Sequence, residues 1–369
     1  VFENSTFEGL DKTSIRVIVP ASALQAYKDS QWWSFNLAAE GTDMEGANTI
    51  TYTTSDGQPV DLYDTSDFDG AQLLSNTYDS ETGVGTILFD GDLRKIPARM
   101  FYMCFTLTSV ELPPFITTID DDTFAECKEL ETVKLPVALE NIRYDAFANC
   151  ESLNEIEIPS SVTSISQGAF AGCKSLKSIV LPDGLESLGG YVFSGCESLV
   201  SVNIPELITS LSGALFSGCK SLKNVELPST LKRIPDNLFS GCESLISIDI
   251  LDSVTEIGDG AFSGCLALSN MVLSDNVTKI GSSCFKDCSN LRSITLSKNI
   301  EGIYAYTFSG CSLIKTITIP NKVTTIAHHA LLAGNRSKTI SFMWVTVLLG
   351  ITFLCVQGYE YYHLYTDLN

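Results

Sequence analysis

The sequence predicts a solenoid of parallel β-strands joined by short turns and wound as a right-handed coil. A β-rich N-terminal segment and a hydrophobic helical tail flank it. Three observations carry this expectation. First, one phrase (Phe, two residues, Cys, two residues, an aliphatic residue) recurs ten times: Phe101/Cys104, Phe124/Cys127, Phe147/Cys150, Phe170/Cys173, Phe193/Cys196, Phe216/Cys219, Phe239/Cys242, Phe262/Cys265, Phe285/Cys288 and Phe308/Cys311. Second, every step is 23 residues, with no insertion or deletion, and a period of that length marks a solenoid. Third, the period is absent before residue 93 and breaks after Ile326, where an uncharged run follows.

Residues 1–42 do not carry the repeat. Ile15-Arg-Val-Ile-Val-Pro20 reads as a strand ended by proline. Ser22 then caps a short helix from Ala23 to about Gln31, closed by Trp32-Trp33. The Trp pair reads as an apolar lid on a core edge, with ligand stacking as the alternative. Residues 43–92 are rich in Thr, Ser, Asp and Gly. Strands are expected over Asn48–Thr54, Pro59–Tyr63 and Gly83–Asp90, with a turn at Ser55-Asp-Gly-Gln58. This segment is expected to cap the open end of the solenoid, since an end coil otherwise exposes core. The run Asp64-Thr-Ser-Asp-Phe-Asp-Gly70 lacks calcium-loop spacing and a closing Glu, so it reads as a solvated loop.

Residues 93–326 are the array of ten repeats. In the coil from Ile165 to Leu188, Ile179 and Leu181 lie two apart and share one strand face. Pro182 ends that strand, Leu185 and Leu188 carry the chain back along a second side, and Gly172 fits the turn before Cys173. The Ile179/Leu181 pair recurs in each coil, from Val110/Leu112 to Ile317/Ile319. Burying Phe, Cys and four or five aliphatics per coil is the main stabilising term, at ~1.5–3 kcal/mol for each large side chain. Pro gives way to Leu251, Ser274 and Ser297, where less sharply set strand ends are expected. Between the aliphatics, the outward positions are Glu111, Lys134, Glu157, Val180, Asn203, Glu226, Asp249, Val272, Thr295 and Thr318. Glu111, Lys134, Glu157, Asn203, Glu226, Asp249, Thr295 and Thr318 are the candidate binding face.

The unit Leu-x-x-Ile-x-x-x-x-Phe-x-x-Cys-x-x-Leu-x-x-Val-x-Leu-Pro resembles the 23-residue leucine-rich repeat of BspA-type proteins. Residues 15–40 resemble the closing segment of an earlier array in that family. The resemblance implies a leucine-rich repeat solenoid in a secreted or surface-anchored bacterial or protist protein. It also implies adhesion, or binding to proteins of a host or neighbouring cell.

After Ile326 the eleventh Phe and Cys positions hold Leu331 and Gly334. Ile340 to Val356 is a run of 17 residues without a charge, near the short limit for a membrane-spanning helix. The wording Ile326-Ala-His-His-Ala-Leu-Leu-Ala-Gly-Asn-Arg336, Val347–Phe353 and Gln357–His363 resembles a transmembrane stretch of cytochrome c oxidase subunit three. That subunit binds no haem or copper, so the resemblance assigns no metal to His328, His329 or His363. Two accounts stand: an array joined to an unrelated oxidase-like fragment, or a C-terminal membrane anchor through 340–356. Arg336 and Lys338 before the run would place the array in the cytoplasm by the positive-inside rule, whereas a surface adhesin needs it outside. At the other end the sequence begins at Val1 with no leader, an N-terminus that reads as truncated.

A net charge of −21 argues against nucleic acid and anionic membrane surfaces as partners; the partner expected is a protein. Of the 12 cysteines, only Cys284 and Cys355 lie outside the repeat position. A residue recurring once per coil forms a column, in which a thiol serves as a small apolar filler. Disulfides between neighbouring coils are the open alternative, because coil spacing is about 4.8 Å. No His occurs before residue 328, so the column lacks the mixed donors of a zinc site. The array has no phosphate loop or nucleophile motif. No enzyme, cofactor or metal is therefore expected, and Asp120-Asp121-Asp122 reads as a solvent-facing coil edge.

Overall fold

A computed structural model describes residues 48–91 and 93–327, together with the strands β1 (Arg16–Val19) and β2 (Asn36–Ala39). The expected helix after Ser22, the Trp pair, the tail helix, Cys355 and the three histidines lie outside the described residues. β1 falls where a strand is expected. It pairs in parallel with β2, Arg16 opposite Asn36, and β2 has no counterpart in the sequence reading.

The array is a parallel solenoid of leucine-rich repeat type. Short strands lie on two different sides of the coils, and those that pair join equivalent positions of neighbouring coils. Ser178 lies opposite Ser201, and Ser201 opposite Asn224; on the second side Ser164 lies opposite Ser187. All these partners are 23 residues apart, so the sequence period is the pairing register.

The second side is the more continuously bonded. Its first sheet joins five coils, from β6 (Lys95–Ile96) through Thr118–Ile119, Asn141–Ile142 and Ser164–Ile165 to Ser187–Leu188. The strands carrying Ile179 and its equivalents form shorter groups: Ser178–Ile179 with Ser201–Val202 and Asn224–Val225, then Asn270–Val272 with Ser293–Thr295. The proline substitutions do not loosen their ends. Ser274 and Ser297 still close the turn, their carbonyls accepting the N–H of Val277 at 3.0 Å and of Ile300 at 3.5 Å. Each hydroxyl also accepts an N–H two residues on, a local turn bond of the kind serine favours.

Between the two sides runs the Phe–Cys turn. In every coil the residues two before and two after the Phe have positive φ, from Arg99 and Met103 to Tyr306 and Gly310. This lets alternate N–H groups point along the solenoid. Gly168, Phe170 and Gly172 donate to the carbonyls of Gly190, Val192 and Ser194 in the next coil, at 2.7–3.0 Å. At Gly172 (φ 74°) a Cβ would lie 2.1 Å from Asn149 Oδ1, so glycine is favoured there by both conformation and space.

The Phe rings form one continuous stack inside. Neighbouring centroids are 5.0–6.1 Å apart with interplanar angles of 2–14°, a spacing that favours aromatic contact. The cysteines run beside them. The eleven described cysteines are free and buried, which answers the disulfide alternative for those positions. Cys127 Sγ donates to the carbonyl of Phe101, in the preceding coil, at 2.9 Å, and the later column members repeat this at 3.0–3.2 Å. Burial pushes the Cys127, Cys150, Cys173, Cys219 and Cys265 thiols above their ordinary range, and Cys104, Cys196 and Cys242 up to about 12.

At the N-terminal end three antiparallel strands continue the solenoid sheet: β3 (Thr49–Thr54), β4 (Gln72–Asp79) and β5 (Val84–Asp90). The order is β4-β5-β3-β7, then Thr132–Lys134, with β7 (Leu107–Glu111) belonging to the first coil. The expected strand over Pro59–Tyr63 is irregular instead, and the strand is β4. Pro59 has no N–H to give a ladder, and the chain after it crosses the open end of the first coil. Tyr63 N–H donates to the Met100 carbonyl at 3.0 Å, and Val60 N–H to the buried Tyr52 hydroxyl at 3.3 Å. Asn76 of β4 accepts the Tyr52 proton at 2.6 Å.

Asp120-Asp121-Asp122 is not a free solvent edge. Asp120 lies 2.9 Å from Arg143 and 3.7 Å from Lys95, while Lys95 holds Asp67 at 2.7 Å and Arg99 holds Asp122 at 3.1 Å. The network ties the loop after β3 to three successive coils.

Candidate binding face

Alternation along the Ile179-type strands turns one aliphatic inward and leaves its neighbours outside. Val202 and Val225 are 7% and 8% exposed, whereas Asn203 and Glu226 beside them are exposed. All eight candidate residues are exposed and share one column along the solenoid: Glu111, Lys134, Glu157, Asn203, Glu226, Asp249, Thr295 and Thr318. Val180 and Val272 complete the column and are 72% and 66% exposed. At the cap the column continues across paired strands, Glu111 beside Thr51, Thr51 beside Thr86, and Thr86 beside Thr77.

Three of the eight have internal partners. Lys134 pairs with Glu111 across neighbouring coils. Asn203 lies along the backbone, accepting the Leu181 N–H and donating to the Leu181 carbonyl, both at 2.9 Å. It thereby imitates a strand neighbour. Glu157, Glu226 and Asp249 make no ion pair among the described residues. The sequence reading passed over a second column three residues earlier, Lys177, Val200, Lys223 and Ile246. There Val200 is 39% and Ile246 53% exposed. Its signal was an aliphatic at a position that is otherwise polar in most coils.

Another charged column is partly paired within itself. One residue after each column cysteine, Lys174 meets Glu151 at 2.9 Å and Lys220 meets Glu197 at 3.0 Å. Among the described residues no group of three His, Cys, Asp or Glu is placed to hold a metal ion. Among the same residues no helix is long and apolar enough to cross a membrane.

Parallel coils, a stacked aromatic spine and one open strand face define a leucine-rich repeat scaffold. The chain belongs to the BspA-type leucine-rich repeat family: the profile of the BspA type Leucine rich repeat region matches residues 94–223 and 214–335. The fold is similar to a leucine rich cell surface protein of Faecalibacterium prausnitzii, with a TM-score of 0.54 and 26% identity over 78% of this chain and 84% of that one. A leucine-rich repeat protein of Bacteroides ovatus is 26% identical over 64% of this chain and 79% of that one, with a TM-score of 0.46. A short stretch is also similar to cytochrome c oxidase subunit 3 of Paracentrotus lividus, 49% identical over 37 residues. The chain spans 14% of the length of that relative.

Proposed function

We propose that this chain is a non-enzymatic cell-surface or secreted repeat protein that binds or adheres to another protein across the Ile179-type strand face. The carrying observation is the column from Glu111 to Thr318, exposed in every coil while the aliphatic before it is buried from Val110 to Ile294. A solenoid offers such a surface without distorting its core, because each coil is held by its neighbours. The family points to protein binding, and the name of the Faecalibacterium protein supports the cell surface. The partner is a surface or matrix protein of a host or neighbouring cell. Residues 43–92 serve as the N-terminal cap of the 93–326 array.

The test is binding of the full chain to immobilised matrix and cell-surface proteins, with Glu226→Lys as the comparison. Selective binding that the substitution weakens at least tenfold supports the reading. Equal binding by both chains at all salt concentrations overturns the strand face as the site.

The short oxidase similarity favours a second reading for 327–369, attachment to a membrane through 340–356. Flotation of the full chain with neutral phospholipid vesicles, lost on truncation after Ala327, supports attachment; no flotation removes it.

A further inference from the structure

The middle of the face has a composition that selects a partner. From the fourth coil to the eighth, the outward column reads Val180, Asn203, Glu226, Asp249, Val272. The two valines are 72% and 66% exposed, although the fold gives each an inward neighbour that is buried, Ile179 and Met271. These two aliphatics are available to cover apolar side chains of a partner that spans the column. Between them Glu226 and Asp249 occupy the same position in adjacent coils, and among the described residues no cation pairs with either. The strand group before Glu226 ends at Asn224–Val225, and among the described residues no strand pairs from 247–249.

Three residues earlier runs a column of the opposite sign, Lys177, Val200, Lys223, Ile246. Neither lysine is ion-paired among the described residues. Its cations disfavour a basic occupant over that column and so direct one to the acidic column.

Resting on the reading of this face as the binding surface, we infer that its centre takes an extended protein segment of the pattern aliphatic-x-basic-x-basic-x-aliphatic, laid along the solenoid axis. Val180 and Val272 are four coils apart, about 19 Å at a strand spacing of about 4.8 Å. In an extended segment, side chains on one side recur about every 7 Å, so the first and seventh residues lie about 20 Å apart. The two terminal aliphatics therefore cover the valines. The third and fifth residues then fall within a long side chain's reach of Glu226 and Asp249, and arginine can meet a carboxylate with two hydrogen bonds. The valines supply buried area, while the carboxylates set sign and register.

The experiment titrates the full chain against a fluorescein-labelled peptide containing Leu-Ser-Arg-Ser-Arg-Ser-Leu. Three comparators have Glu for Arg, Ser for Leu, or the same residues with both Leu adjacent. The expected result is at least tenfold weaker binding for every comparator. The double variants Glu226→Gln/Asp249→Asn and Val180→Ser/Val272→Ser should each weaken the parent peptide at least tenfold, the first also flattening its salt dependence. Glu186→Gln, on another side of the coil, should change nothing, and unchanged thermal melting shows that the face variants fold. Equal binding of parent and comparators, or insensitivity to both double variants, overturns the inference. If the peptide fails while Glu226→Lys still abolishes capture of a matrix protein, the peptide chemistry is wrong and the strand face stands. If both fail, the face itself is wrong.

Discussion

Cys104 Sγ donates to the carbonyl of Asp61 at 3.1 Å. The nine later cysteines of the column make the same bond to the phenylalanine of the coil before them. The first coil has no predecessor, and the loop before β4 supplies the missing acceptor. Ser55 N–H adds a bond to the Thr106 carbonyl at 2.8 Å, and β3 supplies the missing strand beside β7. The cap thus replaces a preceding coil on its strand side and at its Phe–Cys turn.

The buried thiols make stability sensitive to alkali. Burial holds Cys104, Cys196 and Cys242 at about 12, above the ordinary thiol value that the unfolded chain has. Their contribution is complete below about pH 9 and is lost as pH rises towards 12, because only the unfolded chain then gains by losing the proton. Each thiol removes about 1.4 kcal/mol between pH 8 and 10. Urea unfolding at the two pH values should show a marked fall, reduced by about 3 kcal/mol in Cys196→Ala/Cys242→Ala. An identical fall in the double variant would count against the thiols as its source.

The left-handed positions can be probed in both directions. Gly172→Ala should destabilise by about 1–2 kcal/mol, because φ is 74° there and the new Cβ meets Asn149. Ala214 occupies the other left-handed position of the turn, two residues before Phe216, with φ 54°, so Ala214→Gly should be neutral or stabilising by up to about 1 kcal/mol. Chemical denaturation of both variants checks the pair. Opposite signs are predicted.

Asp120→Asn removes the carboxylate shared by Arg143 and Lys95. A loss of about 0.5–1 kcal/mol is expected at low salt, shrinking at about 1 M salt as screening weakens the network. A loss independent of salt would indicate packing instead.

The fold was legible because one period controls everything in it. The 23-residue step fixes register, places Phe over Phe, and identifies which aliphatics turn inward. What escaped the sequence has a physical reason in each case. Only some of the left-handed residues are glycine; Arg99, Tyr191 and Ala214 adopt the same conformation, forced by bonds to the next coil that no local signal announces. β4 escaped because Gln72-Leu-Leu-Ser-Asn-Thr-Tyr-Asp79 is an edge strand with a register shift between Leu73 and Ser75, which blurs its alternation. The outward column was legible from alternation alone. That Asn203 serves the backbone and Lys134 serves Glu111 depends on contacts between coils.

Val225 and Glu226 are adjacent, and their side chains lie on opposite sides of one strand. Measuring unfolding and peptide binding for Val225→Ala and Glu226→Lys tests the division of this solenoid into packed interior and open face. Val225→Ala should lose about 2 kcal/mol of stability. Glu226→Lys should melt within about 0.5 kcal/mol of the parent and lose binding to the Leu-Ser-Arg-Ser-Arg-Ser-Leu peptide. The account is contradicted if Glu226→Lys unfolds the coil as Val225→Ala does, or if it leaves stability and binding both unchanged.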